Sequence, residues 1–433
     1  FCTMFSLKEC DAIGFDMDHT LCRYVLSTQI ELGHQALAQY LVKEKKYPKR
    51  LADPVLDDPN LVYCGGLLFD GQHKALVKMD ENGKVEKAAF GTEMISDSEI
   101  SKLYSSDMYC SHYSKVLSGT LSEKGVYHLH DNNFDMTLTV LLSRMMEIAE
   151  KQNNETKLNV FADFYEGISH AWDAASFSGG NSMFFEELKS NPGKYLHKCP
   201  DVVKTWLKAL KAEGKVLFLL TSSHCDFAKH VMDYCFEDDW RSYFDVVISK
   251  AKKPRFFNEQ FPFKVVDPDH VCELATEALE LELNGWYSEG SSHVLHEHLK
   301  KWSGKESAKV VYFGDSVKSD IVPAKQKCDW EAVYIMDALR AEKGALNPLS
   351  GHEKSLLFSE GFGPLLKSTN GTGTCNSFFC KLIEKYATIA MPSVEYMASL
   401  PIDFQYSRLG NGNGYYPGKP NNIIPDKNNE TVS

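Results

Sequence analysis

Two carboxylates one residue apart follow a short apolar run: Asp16-Met17-Asp18-His19-Thr20 stands directly after Ala12–Phe15. At ~4 Å and an effective dielectric of ~20, two such charges repel by roughly 4 kcal/mol. A divalent cation relieves that repulsion, and oxygen-only ligands favour Mg²⁺. The ordinary alternative is that one carboxylate caps a helix while the other is solvated. A second acidic stretch, Phe313-Gly314-Asp315-Ser316-Val317-Lys318-Ser319-Asp320, also follows an apolar run. Gly314 lets the backbone turn sharply, Asp315 faces the space beyond the strand, and Asp320 lies five residues further on; an N-capping Asp in a loop is the competing account. Thr221-Ser222-Ser223 comes after Val216–Leu220. A hydroxyl with adjacent backbone N–H groups entering a helix suits a phosphate oxygen, although Ser and Thr are also the usual helix caps. Lys252-Lys253 precedes Pro254. A Lys can neutralise a phosphoryl group and a carboxylate nucleophile together; a solvated surface Lys is the plainer reading.

These side chains are far apart in sequence, so elements must gather them. The runs Ala12–Phe15, Val216–Leu220, Val310–Phe313 and Ala332–Met336, with Phe244–Ile248 as a fifth, are four or five residues long and end in small or polar residues, which predicts buried strands. Amphipathic helical stretches lie between them, over Pro200–Glu213, Cys225–Phe236 and His293–Trp302. Strands alternating with helices predict an α/β fold with a parallel sheet covered on both faces. Ligands of such sheets sit at the carboxyl ends of the strands, where Asp16, Thr221 and Asp315 all fall.

About 175 residues between the first strand and the helix before the second break this rhythm. Glu99–Tyr109, Leu138–Gln152 and Phe161–Trp172 read as helices, and Leu61–Phe90 alternates, with turn signals at Asp70–Gly71 and Asn82–Gly83. This predicts an inserted mixed α+β domain. The expected division is core over 1–30, insertion over 31–195, core over 196–346, a loop or linker over 347–376, a helical segment docking on the core over 377–406, and a flexible tail over 407–433. In the tail from Gly410 onward, Asn, Gly and Pro make up 13 of 24 residues, too little apolar content to order it.

Composition narrows the function. The 433 residues carry 47 Lys and Arg against 59 Asp and Glu, a net charge of −12, which disfavours a nucleic-acid polymer as partner. The longest clean aliphatic run, Val216–Leu220, is far short of the ~20 residues that span a bilayer, so no membrane partner is expected. Lys8, Glu9 and Asp11 interrupt any secretory pattern at the start. Twelve cysteines without a CxxC pair read as reduced, mostly buried thiols, and the expected location is cytoplasmic. Sequons at Asn154, Asn370 and Asn429 carry little weight in that setting.

The order Asp-x-Asp-x-Thr, strand-Thr, Lys, then Gly-Asp-x-x-x-x-Asp resembles the haloacid dehalogenase superfamily of phosphohydrolases. Within it the chain is similar to the cytosolic purine 5′-nucleotidase group, a likeness that continues through Lys253-Pro254-Arg255-Phe256-Phe257. The resemblance implies a Rossmann-like core and a Mg²⁺-dependent phosphohydrolase working through an aspartyl phosphate on Asp16. Asp18 is then the general acid and later the base, Thr221 and Ser222 hold phosphoryl oxygens, and Lys253 screens charge between Asp16 and the phosphate. Mg²⁺ is held by Asp16, the Asp18 carbonyl oxygen and Asp315, with Asp320 in support.

By the same resemblance the insertion is a cap that reads the leaving group. Phe134, in Phe134-Asp135-Met136-Thr137, stands where the purine enzymes stack the base, and Asp131 where they use a polar side chain. His170 is a further candidate to face the pocket, with helix packing as the simpler account. The purine enzymes' Arg-containing helix signature is missing around Asp163–Trp172, so the resemblance does not extend to purine preference or to an allosteric nucleotide site. His128, His130 and the His293, His296, His298 set lack metal-site spacing. The implied substrate is a small phosphate ester, foremost a nucleoside 5′-monophosphate; related nucleotidases form dimers or tetramers, which implies a homo-oligomer. The alternatives are a catalytically weak regulatory or interaction protein on a phosphatase scaffold, and a phosphoprotein phosphatase.

Overall fold

Apolar runs too short for helices line up as strands, because only a sheet can satisfy their backbone groups once they are buried. The computed structural model describes residues 4–56, 65–151, 158–237, 239–342, 344–358, 361–370 and 373–418. Its largest sheet has nine strands. In chain order these are β1 Ala12–Phe15, β2 Val216–Leu220, β3 Val246–Ser249, β4 Phe263–Asp267, β5 Cys272–Ala278, β6 Gly285–Glu289, β7 Val310–Gly314, β8 Glu331–Ile335 and β9 Ile389–Met391. Across the sheet they run β5-β4-β6-β3-β2-β1-β7-β8-β9. From β6 to β9 every pairing is parallel, while β4 and β5 add an antiparallel hairpin at one edge. This is an α/β fold.

β1 lies between β2 and β7, with Ala12 level with both Val216 and Val310. Their carboxyl ends therefore coincide, and Asp16, Thr221 and Asp315 leave the sheet on one side. Helices Asp201–Ala212, Cys225–Phe236, Ser292–Ser303 and Val322–Cys328 alternate with these strands. One layer of core joins Phe218, Ile248, Val310, Tyr312, Leu295 and Trp330, all buried. Each such side chain contributes about 1.5–3 kcal/mol on burial. Gly14 is needed here: a Cβ on it would stand 2.1 Å from the Phe218 ring.

The chain forms two units. One comprises Phe1–Val25, Leu188–Pro348 and Glu384–Lys419, and the other takes in Leu26–Glu187 and Leu349–Ile383. The second unit is a mixed α+β body with a six-stranded antiparallel sheet, among them Leu67–Asp70, Ala75–Met79, Val85–Phe90 and Tyr127–His130. Gly83 takes φ 92° between Ala75–Met79 and Val85–Phe90, where the Asn-Gly turn signal stood. Helices Leu26–Glu44, Asn133–Lys151 and Val160–Trp172 bury Leu37, Leu41, Leu141, Met145 and Phe164 with that sheet.

Three stretches differ from expectation. The span 347–376, expected as a linker, holds helix Gly351–Leu357 and the hairpin Lys367–Asn370 with Gly373–Asn376. The span 377–406 is not helical throughout: after helix Phe378–Tyr386 it inserts β9, because Ile389–Met391 can complete the sheet beside β8. The first part of the expected flexible tail is packed. Tyr406–Ser407 pairs with Met4–Phe5, and the Tyr416 N–H donates to Ala390 O at 3.0 Å. Residues 419–433 lie outside the described residues, as does Asn154. Ten cysteines among the described residues are free thiols. No described helix is long and apolar enough to cross a membrane.

Candidate active site

The loop that carries Asp16 and Asp18 begins where β1 stops. The Asp16 N–H donates to Phe313 O at 2.8 Å, which holds the residue in line with β7. The chain then folds back on Met17, whose carbonyl accepts the N–H groups of Leu21 and Cys22 at 3.1 and 2.8 Å. His19 takes a left-handed φ of 55° in this tight loop. Burial lowers its imidazole to about 4, so the ring is neutral at physiological pH.

Lys253 is delivered by the loop after β3, and the Thr221-Ser222-Ser223 segment holds that loop in place. Lys250 N–H donates to Ser223 O at 2.7 Å, Ala251 N–H to Thr221 O at 3.0 Å, and Lys253 N–H to Ser222 Oγ at 2.9 Å. Lys250 and Lys252 sit at φ 47° and 53°, a costly conformation for residues with a Cβ, which these bonds help to hold. The result aims the Lys253 ammonium inward. Its Nζ lies 2.7 Å from Asp16 Oδ1 and 2.6 Å from Asp320 Oδ1, with the side chain 3% exposed. Tyr312 completes the setting: its hydroxyl lies 3.0 Å from Lys253 Nζ and 3.0 Å from Leu220 O.

Asp315 and Asp320 come from the turn after β7. Gly314 is required there, since a Cβ on it would approach the Asp320 Cβ to 2.4 Å. Ser316 N–H donates to Asp320 Oδ2 at 3.2 Å. Carboxylate oxygens of Asp16, Asp315 and Asp320 all lie within 4.8 Å of one another. Burial raises Asp16 above the usual carboxylate range; Lys253 lowers it, and Asp320 and Asp18 push it up further. One ammonium thus contacts two carboxylates, Asp16 and Asp320. Three carboxylates that close, all hard oxygen donors, match a divalent cation in charge and chemistry. The Asp18 side chain is not part of this cluster: Oδ1 accepts from the Tyr24 hydroxyl and Oδ2 from the Ser223 hydroxyl, each at 2.7 Å.

The structure thus brings together Asp16, Asp18, Ser222, Thr221, Lys253, Asp315 and Asp320. Phe134 and Asp131 lie in the second unit. The Phe134 ring meets Trp172 edge-on at 5.8 Å, and Asp131 is buried with its N–H donating to the Asp135 carboxylate at 3.2 Å. His170 stacks on Tyr40 at 4.1 Å, and His296 accepts a hydrogen bond from Trp330 Nε1. Tyr24, Ser223 and Tyr312 escaped the sequence reading. Ser223 had a faint signal as the third residue of Thr-Ser-Ser; Tyr24 and Tyr312 had none, being one loop tyrosine and one strand tyrosine among 20.

Known proteins are similar to this chain in sequence. The model of the 5′ nucleotidase family matches residues 1–356. 5′-Nucleotidase domain-containing protein 1 of Homo sapiens is 37% identical over 445 residues, covering 96% of this chain and 96% of its own. A 5′-nucleotidase domain-containing protein of Dictyostelium discoideum is 27% identical over 450 residues, covering 92% of this chain and 71% of its own. Among solved structures, a predicted phosphoglycolate phosphatase from Haemophilus somnus 129pt covers 76% of this chain and 86% of its own at 14% identity and a TM-score of 0.30. With the family match spanning Asp16 to Asp320 and beyond, the chain belongs to the 5′ nucleotidase family and is, by that membership, a phosphoric monoester hydrolase.

Proposed function

We propose that the protein hydrolyses small phosphate monoesters, foremost nucleoside 5′-monophosphates, with Mg²⁺ and through an aspartyl phosphate on Asp16. One observation carries this reading: the Lys253 ammonium bridges Asp16 and Asp320, beside an oxygen cluster completed by Asp315. A carboxylate approaching a phosphate dianion is repelled, and Lys253 offsets that repulsion at the attacking residue itself. Asp16, Asp315 and Asp320 would hold Mg²⁺, with the Asp18 carbonyl oxygen, and the ion when bound supplies further neutralisation of phosphoryl charge.

The chain's own residues divide the remaining work. Asp16 attacks phosphorus as the ester P–O bond breaks, and Asp18 gives its proton to the departing oxygen. Water then attacks the phosphoaspartate, Asp18 takes a proton from it, and the Asp16–phosphorus bond breaks to release phosphate. Thr221 and Ser222 bind phosphoryl oxygens; a Ser222 hydroxyl that accepts from Lys253 still has its own proton to donate. Phe134 and Asp131 of the second unit are the residues we assign to the base and sugar.

The test is phosphate release from a panel of nucleoside 5′-monophosphates and ribose 5-phosphate, with Mg²⁺ and with chelator. Asp16→Asn should abolish Mg²⁺-dependent release, and Phe134→Ala should weaken nucleotides more than ribose 5-phosphate, by a stacking term of roughly 1–3 kcal/mol. A wild type as inactive as Asp16→Asn on every ester would end the reading.

A further inference from the structure

Asp18 is held differently from its neighbours. Asp16 and Asp320 lie against an ammonium, whereas the two Asp18 oxygens each take one hydroxyl, Tyr24 on Oδ1 and Ser223 on Oδ2, both at 2.7 Å. The two donors come from separate parts of the chain. Tyr24 ends the nucleophile loop and is buried at 4% exposure, its ring stacked on His19 with centroids 4.6 Å apart. The chain is pinned at this point, for Val25 N–H donates to Tyr195 O at 2.8 Å. Ser223 lies 205 residues from Asp18, after β2, and its N–H donates to Thr221 Oγ1 at 3.1 Å.

A carboxyl that alternates between acid and base carries its proton on one oxygen at a time. From the two hydroxyl contacts we infer that Tyr24 is a positioning residue which reserves Oδ1 as the unprotonated oxygen, and that Oδ2, beside Ser223, is the oxygen that gives up and regains the proton. This rests on the proposed role of Asp18. A phenolic O–H lies in the plane of its ring, and the Tyr24 ring is fixed by the His19 stack, so its hydrogen has few directions to choose from. A serine hydroxyl turns freely about Cβ–Oγ and can donate to the carboxylate or accept from the carboxylic acid. Ser223 is also only partly buried, while Tyr24 is enclosed. In the first step the ester oxygen takes the Oδ2 proton as its bond to phosphorus breaks and the Asp16 bond to phosphorus forms. Both Asp18 oxygens then accept hydroxyls, which is the arrangement seen here. In the second step water returns a proton to Oδ2 as its oxygen bonds to phosphorus and Asp16 departs; Ser223 turns to accept.

The experiment compares kcat/KM for a nucleoside 5′-monophosphate and for p-nitrophenyl phosphate. This quantity covers steps only up to release of the first product, so it isolates the acid half. An alkoxide leaving group needs the proton, whereas p-nitrophenolate leaves without it. Tyr24→Phe keeps the ring and its stack, and should lose about 10–100-fold on the nucleotide and little on the aryl ester. Ser223→Ala should show the same selectivity. Equal losses on both esters, or none on either, overturn the inference while the wild type remains an active phosphatase. A wild type inactive on both esters overturns the underlying functional reading instead, and with it the inference. Thermal melting of each variant separates misfolding from the selective loss.

Discussion

The Lys253 ammonium is placed against two carboxylates of the site, Asp16 and Asp320, and its side chain is almost fully enclosed. Burial lowers its affinity for a proton, but Asp16 and then Asp320 outweigh that and raise it, so it is charged at neutral pH. Removing one partner from such a buried set leaves the others uncompensated, at about 3–5 kcal/mol. Lys253→Met should therefore lower stability by about that much in chelator, measured by denaturant unfolding. Mg²⁺ should restore more stability to the variant than it adds to the wild type, because it then takes over the neutralisation of Asp16 and Asp320 that Lys253 supplies. Equal Mg²⁺ responses would show that the cation and the lysine do not share those carboxylates.

At the scale of elements, the site depends on how tightly the turn after β7 closes. A Cβ on Gly314 meets the backbone-anchored Asp320 Cβ at 2.4 Å, and that atom cannot rotate away. Gly314→Ala should shift Asp320 off Lys253 and cut phosphate release by roughly 100-fold, the scale of a 1 Å misplacement, with a smaller effect on the melting temperature. Unchanged turnover would mean that Asp320 is not needed where it stands. The strands bearing these turns were legible because β1, β2 and β7 are unbroken apolar runs buried on both faces. β4 to β6 were not: Cys272–Ala278 is largely exposed and carries Glu273, Thr276 and Glu277, so no apolar pattern marks it. β9 was hidden between two helical patterns, and three residues are too few for a period to register. The acids were legible for a related reason, since Asp16, Asp315 and Asp320 follow recognisable strand ends. Tyr24 and Ser223 were not, because what joins them to Asp18 is spatial and spans up to 205 residues.

At the scale of the molecule, the α/β unit is closed by its last described stretch. Arg408 reaches Glu331 of β8 with two contacts, 2.8 and 2.6 Å, and also donates to Met4 O at 3.2 Å. Burial would raise Glu331, but Arg408 and the Thr388 hydroxyl outweigh it and hold the carboxyl below its ordinary 4.5. A depressed acid contributes stability above its unfolded value and loses it as pH falls through the folded one. The stability gap between wild type and Arg408→Ala, about 1 kcal/mol for a part-exposed pair, should thus be constant at neutral pH and close below about 4.5. A gap that persists at pH 3 would assign it to lost packing. Every acid and lysine of the site lies between Asp16 and Asp320, yet the sheet that carries them takes one edge strand from Ile389–Met391, and a separate two-stranded pair joins Met4–Phe5 to Tyr406–Ser407. The α/β unit therefore cannot zip shut until the chain as far as Ser407 has left the ribosome, and a message cut short after residue 376 would encode these acids and lysine on an unfinished frame.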